Sequence, residues 1–447
     1  MQRQRLSHII ILFLLTVAAV LAAGCSGRQP TTLLPLQEST DRVPVVFLPG
    51  VTGSRLRHLE SGKLLWGRAR NVFGPHDGGY NLAIPLDGSP GPQPSEPDGP
   101  LLELNLGVIR KPVYRPFLEM MEANGYKAGD LADPAPDETF FFHAYDWRHG
   151  VVEAAEELSR HLERLRRARG EETLTVTLIS QSNAGLIARY VAKYGGAGLE
   201  EAENGAVAPK HIHIDKIILL GTTSGGALRI LHELHRGRRY VGSVGRRMQP
   251  ETLFSFHSLF ESLPVYMNDL FVDRDGEPLA VDLYDADNWE RYGWSIWSEE
   301  SRRRIHNKGR SDLFGDVELR RSYLRRHLEL AKRLHRLLER DPPGFESPRL
   351  YSVQAAFEPT AERAMLVEGA DGWETVFPED ARVQDDPYLL SLMVAPGDGH
   401  ATLESQNWMS PREQAAFGHS PIYVEGRHFE FILNPATERH VLQFLRD

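Results

Sequence analysis

Thr173–Tyr190 reads TLTVTLISQSNAGLIARY and combines two patterns that meet at one serine. Its first half, Thr173–Ile179, alternates β-branched and other apolar residues and predicts a strand. Its second half, from Asn183, spaces apolar residues as a helix does. Ser182 lies on the turn between them, among the small residues that a sharp strand-to-helix turn requires. This is typical of a nucleophile elbow, usually G-x-S-x-G but here S-x-S-x-A-G; the alternative is an ordinary loop.

Strands and helices alternate on both sides of this stretch. Apolar runs predict further strands at 43–48, 140–145, 212–220, 350–355 and 389–394. Helical spacing and stop signals predict helices at 114–123, 151–169, 317–340 and 435–445. Such alternation predicts an α/β fold with a mostly parallel sheet and helices on both of its faces.

The stretch from about 236 to 348 interrupts the alternation. It is rich in aromatic residues and has few strand-like runs, but it contains the long helix predicted at 317–340. It is too long for a loop and lies between two parts of the predicted sheet. We therefore predict one domain over 43–447 with a large inserted cap or lid at about 236–348. Pro, Gly and Ser accumulate at 86–100, where we predict a surface loop.

Composition limits the class of protein. The chain has 447 residues, 41% hydrophobic and 25% charged, as expected for a soluble globular protein. The formal net charge of −10 argues against a nucleic-acid partner, which needs a basic face. With one cysteine no disulfide can form within the chain, so the core must hold the fold. The histidines lack the spacing of metal ligands, and we expect neither a metal nor another cofactor.

The N-terminal residues predict export rather than fold. Arg3 and Arg5 precede a short apolar run, 9–23, that ends in small residues, so 1–24 is predicted to be a signal peptide. Leu21-Ala22-Ala23-Gly24-Cys25 resembles a bacterial lipobox. We therefore predict a lipidated Cys25, a tether over 25–42 and a place on the cell envelope. Ser26, rather than Asp, favours the outer membrane; the alternative is an incidental cysteine beside a plain cleavage site.

An elbow serine needs an acid and a base. Asp398 lies between two glycines after a late predicted strand, a turn that projects a carboxylate from the sheet edge. His428 lies just before the last predicted helix, and the chain order Ser, Asp, His is the one α/β hydrolases use. His419 is the second candidate for the base. His400 is expected to point away from its neighbour Asp398, and His440 to be structural.

A glycine-rich loop, Pro49–Ser54, follows the first predicted strand. In α/β hydrolases an early loop of this kind contributes one backbone N–H to the oxyanion hole, and the residue after the nucleophile contributes the other. We therefore assign these two amides to Val51 and Asn183. The alternative for the loop is a plain turn.

Several segments carry further motifs. They are VVFLPGVTGSRL at 45–56, AYDWR at 144–148, LISQSNAGLIARY at 178–190, LGTTSGGA at 220–227, LYDADNW at 283–289 and GDGHATLES at 397–405. Together they resemble the lecithin:cholesterol acyltransferase family, which includes lysosomal phospholipase A2 and phospholipid:diacylglycerol acyltransferase. The resemblance runs from about Val43 to the C-terminus, and its most specific parts are the Tyr-Asp-Trp-Arg and Gly-Asp-Gly motifs in that order.

The resemblance implies an α/β-hydrolase fold and a division of roles. Ser182 is implied as nucleophile, Asp398 as acid and His428 as base, with the amides of Val51 and Asn183 in the oxyanion hole. The Tyr-Asp-Trp-Arg segment is expected to support the pocket rather than to react.

The chain also departs from the family pattern. Ser180 and Ala184 replace elbow glycines, Gln181 replaces the usual His, and His400 replaces Thr. The family's lid disulfide cannot form, because the chain has a single cysteine. These departures bear on the acyl acceptor and on rate more than on the class of reaction.

The function predicted is a serine-dependent lipid acyl hydrolase or acyltransferase. Its substrate is expected to be a phospholipid or related acyl ester, at a membrane surface reached through the lipidated Cys25. An acyl-serine would pass its acyl group to water or to an alcohol. Two alternatives remain: a general esterase or triacylglycerol lipase on the same fold, and a non-catalytic envelope lipoprotein that uses the fold as a binding scaffold.

Overall fold

The computed structural model describes residues 30–33, 42–89, 91, 93–105, 110–240, 245–370 and 372–447. The predicted signal peptide at 1–24 and Cys25 lie outside the described residues, as does most of the predicted tether at 25–42. A seven-stranded sheet forms the centre. Its strands are β1 (Val45–Leu48), β2 (Ala128–Gly129), β3 (Phe140–Phe142), β4 (Leu174–Gln181), β5 (Ile212–Leu220), β6 (Arg349–Gln354) and β7 (Ile422–Tyr423).

The sheet has the order β7-β6-β5-β4-β1-β3-β2, and all six of its strand pairings are parallel. Leu48 of β1 and Leu219 of β5 both pair with Ser180, close to the end of β4. Because parallel strands end at the same edge, the loops after β1, β4 and β5 open side by side there. This edge is the place where ligands bind in open α/β sheets.

Helices cover both faces of the sheet, as predicted. One face of β1 and β4 packs on helices Val151–Ala168 and Ala184–Tyr194. The other face packs on helices Arg115–Ala123 and Pro435–Arg446. In β1 the alternation is direct, since Val46 and Leu48 belong to the first core and the intervening Phe47 to the second. Burial on both faces explains why the central strands are apolar almost throughout.

The segment predicted as a cap, 236–348, consists mainly of helices. They are Pro250–Phe254, His257–Phe260, Ala286–Arg291, Glu299–Asn307, Ser311–Phe314 and Val317–Glu339, with a 3-10 turn at Ser295–Trp297. Its buried aromatic side chains, among them Phe254, Phe260 and Trp289, join the hydrophobic core on the β1–β4 face. The boundaries of a separate cap stay a prediction.

Smaller elements surround these layers. The remaining strands are Ser54–His58, Leu64–Trp66, Ser95–Pro100, Glu103–Asn105, Arg110–Pro112, Phe271–Val272, Glu358–Ala361, Ala364–Gly369, Gly372–Val376 and Val394–Gly397. The remaining helices are Ala69–Phe73, Leu199–Glu203, Leu228–Arg236, Ala381–Gln384, Pro387–Met393, Leu403–Gln406 and Pro411–Ala415, with 3-10 turns at His76–Leu82 and Phe431–Leu433. Among the described residues no helix combines the length and the apolar character needed to cross a bilayer.

Two local predictions were wrong. Part of the predicted surface loop, Ser95–Pro100, is a strand that pairs antiparallel with Ser54–His58. Its pairing partner lies about forty residues earlier in the chain, so no local pattern revealed it. The strand predicted at 389–394 is mostly a helix, Pro387–Met393, which Asp386 caps by accepting the amides of Tyr388 and Leu389. An N-cap followed by proline is a strong helix start, and it outweighs a short apolar run.

Candidate active site

Ser182 occupies the sharp turn between β4 and helix Ala184–Tyr194. Its φ of 57° is in the left-handed region, which L-residues other than Gly rarely adopt. The amide of Ser182 donates to the carbonyl of Leu220 at 3.1 Å, so the neighbouring strand holds this backbone in place. The turn is crowded: a Cβ on Gly185 would lie 2.0 Å from Cγ2 of Thr222. Strain of this kind is concentrated at functional sites.

Three side chains form a hydrogen-bonded chain at this turn. His428 Nε2 lies 2.8 Å from Ser182 Oγ, and His428 Nδ1 lies 2.6 Å from Asp398 Oδ2. All three side chains are buried, with exposed fractions of 6%, 2% and 0% for Ser182, His428 and Asp398. The structure thus brings together the three residues that the sequence nominated. Chemically, the imidazole can take the serine proton while the carboxylate orients the ring.

The turn of Asp398 leaves its carboxylate little freedom. Oδ1 accepts the amides of His400 at 2.9 Å and Ala401 at 2.7 Å, which leaves Oδ2 for His428. The amide of His428 donates to the Asp398 carbonyl at 2.9 Å, so backbone and side chains join the two loops.

The other candidate histidines lie elsewhere or behave differently. The His419 ring contacts Tyr351 edge-on and Phe444 at a tilt, and its Nδ1 is 2.7 Å from the Ser420 carbonyl. His440 contacts Gln443 on the last helix. Neither makes a hydrogen bond to Ser182.

His400 was expected to point away from Asp398, and among the described residues its ring makes no hydrogen bond to that carboxylate, but the ring does lie at the site. Its ring stacks on His428 with centroids 4.4 Å apart and planes tilted by 25°. Burial lowers the pKa of His400 well below its ordinary value, and nearby His428, Arg238 and Arg229 lower it further. The ring therefore stays neutral at neutral pH. The prediction treated each turn residue alone, but packing of the His428 loop against this turn decides where the ring lies.

Val51 and Asn183, the residues assigned to the oxyanion hole, line the same cavity as Ser182. Neither backbone amide donates a hydrogen bond to another group in the part of the chain that the structure describes. Unpaired amides are unusual in a buried setting. These two are available to a negatively charged oxygen that forms beside Ser182.

The cavity at Ser182 is small, with a volume of about 10 Å³, which is room for one water-sized molecule. Its lining combines sheet-edge loops with residues from 230–262. The lining residues are Val51, Ser182, Asn183, Thr223, Ile230, Arg238, Leu259, Ser262, His400 and Phe429. A molecule larger than water can enter only if this cavity widens.

The Tyr-Asp-Trp-Arg segment supports the oxyanion loop. Tyr145 donates its hydroxyl to the Pro49 carbonyl at 2.9 Å, and Trp147 Nε1 donates to the Ser54 carbonyl at 3.1 Å. Trp66, which the sequence did not single out, donates Nε1 to the Thr52 carbonyl at 3.0 Å. These bonds hold the loop that carries Val51 from three directions.

A second chain of hydrogen bonds runs from the elbow into the 236–348 segment. Asn183 Nδ2 donates to Ser262 Oγ at 2.7 Å, Ser262 donates to the Ser258 carbonyl at 2.7 Å, and Ser258 donates to the Trp147 carbonyl at 2.6 Å. Sequence reasoning missed Ser258 and Ser262, because no motif marks a serine that becomes important only through long-range packing.

Among the described residues, no three His, Cys, Asp or Glu side chains are grouped to hold a metal ion.

Comparison with known proteins supports the fold. No family model matches the sequence, and no curated relative matches it. A chain of the Tle4–Tli4 complex aligns with a TM-score of 0.60 and 13% identity, covering 91% of this chain and 99% of that one. Bacillus licheniformis lipase BlEst2 in its mature form aligns with a TM-score of 0.28 and 11% identity, covering 94% of this chain and 96% of that one. This TM-score is too low to indicate a shared fold. With its parallel sheet, two helical layers and strained serine turn, the chain has the α/β-hydrolase fold.

Proposed function

We propose that this protein is a serine-dependent lipid acyl hydrolase or acyltransferase that works through an acyl-serine. The observation that carries the proposal is the continuous chain from Ser182 Oγ through His428 to Asp398, beside two unpaired backbone amides. A nucleophile, an oriented base and oxyanion donors around one point are what acyl transfer requires.

In the first step Ser182 Oγ attacks the ester carbonyl carbon while His428 Nε2 takes the hydroxyl proton. The carbonyl oxygen becomes an oxyanion, which the amides of Val51 and Asn183 stabilise; one such donor contributes about 3 kcal/mol. His428 then gives the proton to the leaving alkoxide as the carbon–oxygen bond breaks. Asp398 keeps the imidazole in the right tautomer and stabilises the imidazolium.

In the second step an acceptor attacks the acyl-serine. His428 takes the proton of water or of an alcohol, the tetrahedral intermediate forms again, and the proton returns to Ser182 as the serine leaves. Water gives a phospholipase reaction and an alcohol gives an acyltransferase reaction. Resemblance to the lecithin:cholesterol acyltransferase family supports phospholipid or related acyl esters as the substrate.

We also propose that Cys25 is lipidated and anchors the protein on the bacterial envelope, with the outer membrane favoured. The lipobox-like residues support this. The described segment 30–33, close after Cys25, is tied to the body: Thr31 Oγ1 donates to Glu438 at 2.9 Å, and the Leu33 amide to Asn124 at 2.8 Å. A short link would hold the body close to the membrane. Loss of membrane partition in a Cys25→Ser variant tests the anchor.

Fluorophosphonate labelling tests the nucleophile, because the probe reacts with an activated serine whatever the substrate. The full-length protein in detergent micelles should take the label, and Ser182→Ala should abolish it while keeping the same melting temperature. Ser180→Ala is the matched control, since Ser180 is a buried serine two residues away that does not line the cavity. Equal labelling of the parent and Ser182→Ala would refute the assignment of Ser182.

Substrate comparison separates the remaining alternatives. A phospholipase or acyltransferase should release fatty acid from phosphatidylcholine faster than acid from short soluble esters; the reverse order indicates a general esterase. No label and no hydrolysis in the parent, with detergent present, would favour the non-catalytic scaffold.

A further inference from the structure

Arg238 is the one charged side chain among the ten described residues that line the cavity at Ser182. Only 9% of this residue is exposed. A buried guanidinium is expensive unless it is paired or has a function. Its position beside the proposed nucleophile therefore calls for a chemical explanation.

Contacts on three sides hold the Arg238 guanidinium in place. Its central carbon lies 4.7 Å from the Tyr240 ring centroid and 5.5 Å from that of Phe429, within the range of cation–π contacts. Glu233 Oε2 lies 3.2 Å from Nη1. Such a preorganised group loses little entropy when it binds a ligand.

The guanidinium still has unused hydrogen-bond donors. An arginine carries five N–H donors. Within the described chain, Glu233 is its one ion-pair partner, and the guanidinium makes no hydrogen bond to a described residue. His400 lines the same cavity, and its neutral ring also makes no side-chain hydrogen bond to the described residues. The cavity therefore combines a cationic fork with a neutral imidazole, and both can donate to an acceptor.

We propose, building on the proposed function, that Arg238 and His400 form a subsite for the phosphodiester group of the substrate. The substrate class is then a glycerophospholipid rather than a neutral acylglycerol. A guanidinium binds phosphate oxygens in a bidentate manner, and burial strengthens such charge-assisted bonds. In a glycerophospholipid the phosphate is attached to the glycerol carbon beside an ester-bearing one. An ester at Ser182 thus places the phosphate a few bonds away, and Arg238 lines the same cavity.

Phe429 gives this subsite a route to solvent. The residue is 51% exposed, yet it lines the cavity and contacts the Arg238 guanidinium. Phe429 thus joins solvent, the cavity and Arg238. A phospholipid that displaces Phe429 widens the cavity and brings its phosphate to Arg238.

Arg229 offers a matched control. Its Nε lies 3.4 Å from Glu233 Oε1, on the same carboxylate that pairs with Arg238, and Nη1 donates to Glu379. Arg229 is one-third exposed and does not line the cavity. Its replacement disturbs the same ion-pair network without removing a group from the proposed subsite.

The test compares hydrolysis of dioctanoylphosphatidylglycerol and dioctanoylglycerol, each in the same detergent micelles, by the full-length protein. The ratio of kcat/KM for the phospholipid to that for the neutral lipid should fall about 10- to 100-fold in Arg238→Met, the range for a lost hydrogen bond to a charged group. Arg238→Lys keeps the positive charge but not the bidentate donor geometry, so its kcat/KM ratio should lie between those of the parent and Arg238→Met. Arg229→Met should keep the parent ratio.

Other outcomes overturn the subsite. If Arg238→Met lowers both rates equally, Arg238 serves the shared chemistry or the fold. If millimolar inorganic phosphate inhibits dioctanoylglycerol hydrolysis in the parent while the parent shows no preference for the phospholipid, the site takes free phosphate and not a lipid headgroup. If the parent cleaves neither lipid and takes no fluorophosphonate, the proposed function is wrong and the subsite falls with it. A parent that is active but prefers neither lipid refutes the subsite alone.

Discussion

The cavity at Ser182 has two walls that are built differently. We call Val51, Ser182, Asn183, Thr223, His400 and Phe429 the sheet wall, and Ile230, Arg238, Leu259 and Ser262 the helical wall. Except for His400, which follows the strand Val394–Gly397 of a separate two-stranded sheet, the sheet wall comes from loops at the carboxyl edge of the central sheet. It presents Ser182 and the backbone amides of Val51 and Asn183. The helical wall comes from helices Leu228–Arg236 and His257–Phe260 and the residues after them.

This difference separates the groups proposed to carry out the reaction from those proposed to select the substrate. The proposed chemistry depends on backbone positions, such as the strained turn at Ser182 and the unpaired amide of Val51. These positions lie side by side because the parallel strands that precede them end at the same edge of the sheet. The proposed selection depends on side chains such as Arg238, which long-range contacts hold. Changes at Ser182, at its histidine or at the backbone amides should therefore alter turnover for every substrate, whereas changes at Arg238 should alter the preference among substrates.

The largest effect on activity is expected from replacing His428, the proposed base, which lies within hydrogen-bond distance of Ser182. His428→Ala should lower kcat/KM about 10⁴-fold on any ester, because no other described side chain accepts the Ser182 proton. His419→Ala should stay near the parent value, since His419 packs on Tyr351 and Phe444 instead. Steady-state rates on phosphatidylcholine micelles measure both; the opposite ranking would make His419 the base and contradict the site.

A smaller effect is expected from the support of the oxyanion loop. Tyr145→Phe removes the hydroxyl bond to the Pro49 carbonyl and lets the Val51 amide shift. We expect kcat to fall about 10-fold with little change in KM, since the oxyanion exists only after attack. Kinetics on one soluble ester give this split. A change confined to KM would show that Tyr145 shapes substrate binding rather than the oxyanion loop.

A smaller loss of kcat is expected from replacing His400, whose ring stacks on His428. His400→Thr removes the ring that lies on His428, and an aromatic contact of this kind is worth about 0.5–1.5 kcal/mol. We expect kcat on dioctanoylglycerol to fall roughly threefold to tenfold by the same estimate. His400→Phe keeps a ring there and should lose less. Equal losses in the two variants would show that stacking does not position His428.

The smallest effect on turnover, and a distinct one on stability, is expected beside the helical wall at Glu261. Burial, with added repulsion from Glu153, raises the pKa of Glu261 from 4.5 to about 8. Between these values the folded protein retains a proton that the unfolded chain releases, so the free energy of unfolding falls as pH rises. Glu261→Gln should remove about 4 kcal/mol of that fall, since each pKa unit corresponds to about 1.4 kcal/mol.

Melting temperatures at pH 5 and pH 8 measure this effect. The parent should lose more stability than Glu261→Gln over that interval, and Glu153→Gln should lie between, because it removes only the repulsion. If the melting temperatures of all three proteins change equally between pH 5 and pH 8, Glu261 does not have the raised pKa.

Sequence reasoning succeeded where a signal is local. The strand at 212–220, the helix at 317–340 and the turn at Ser182 all follow from residue spacing or turn chemistry within a few positions. It failed where distant residues decide. The partner of the strand Ser95–Pro100 is remote, and the ring of His400 turns toward His428 only because two loops pack together.

Local sequence signals specify the layered α/β sheet and the serine turn, because hydrophobic periodicity and small residues act over a few neighbours. Turn chemistry and chain order also point to Asp398 and His428. Long-range packing is what places His428 Nε2 beside Ser182 Oγ, 246 residues away in the chain, and Arg238 at the same cavity. Such contacts depend on how whole layers pack, and packing joins residues that share no local pattern.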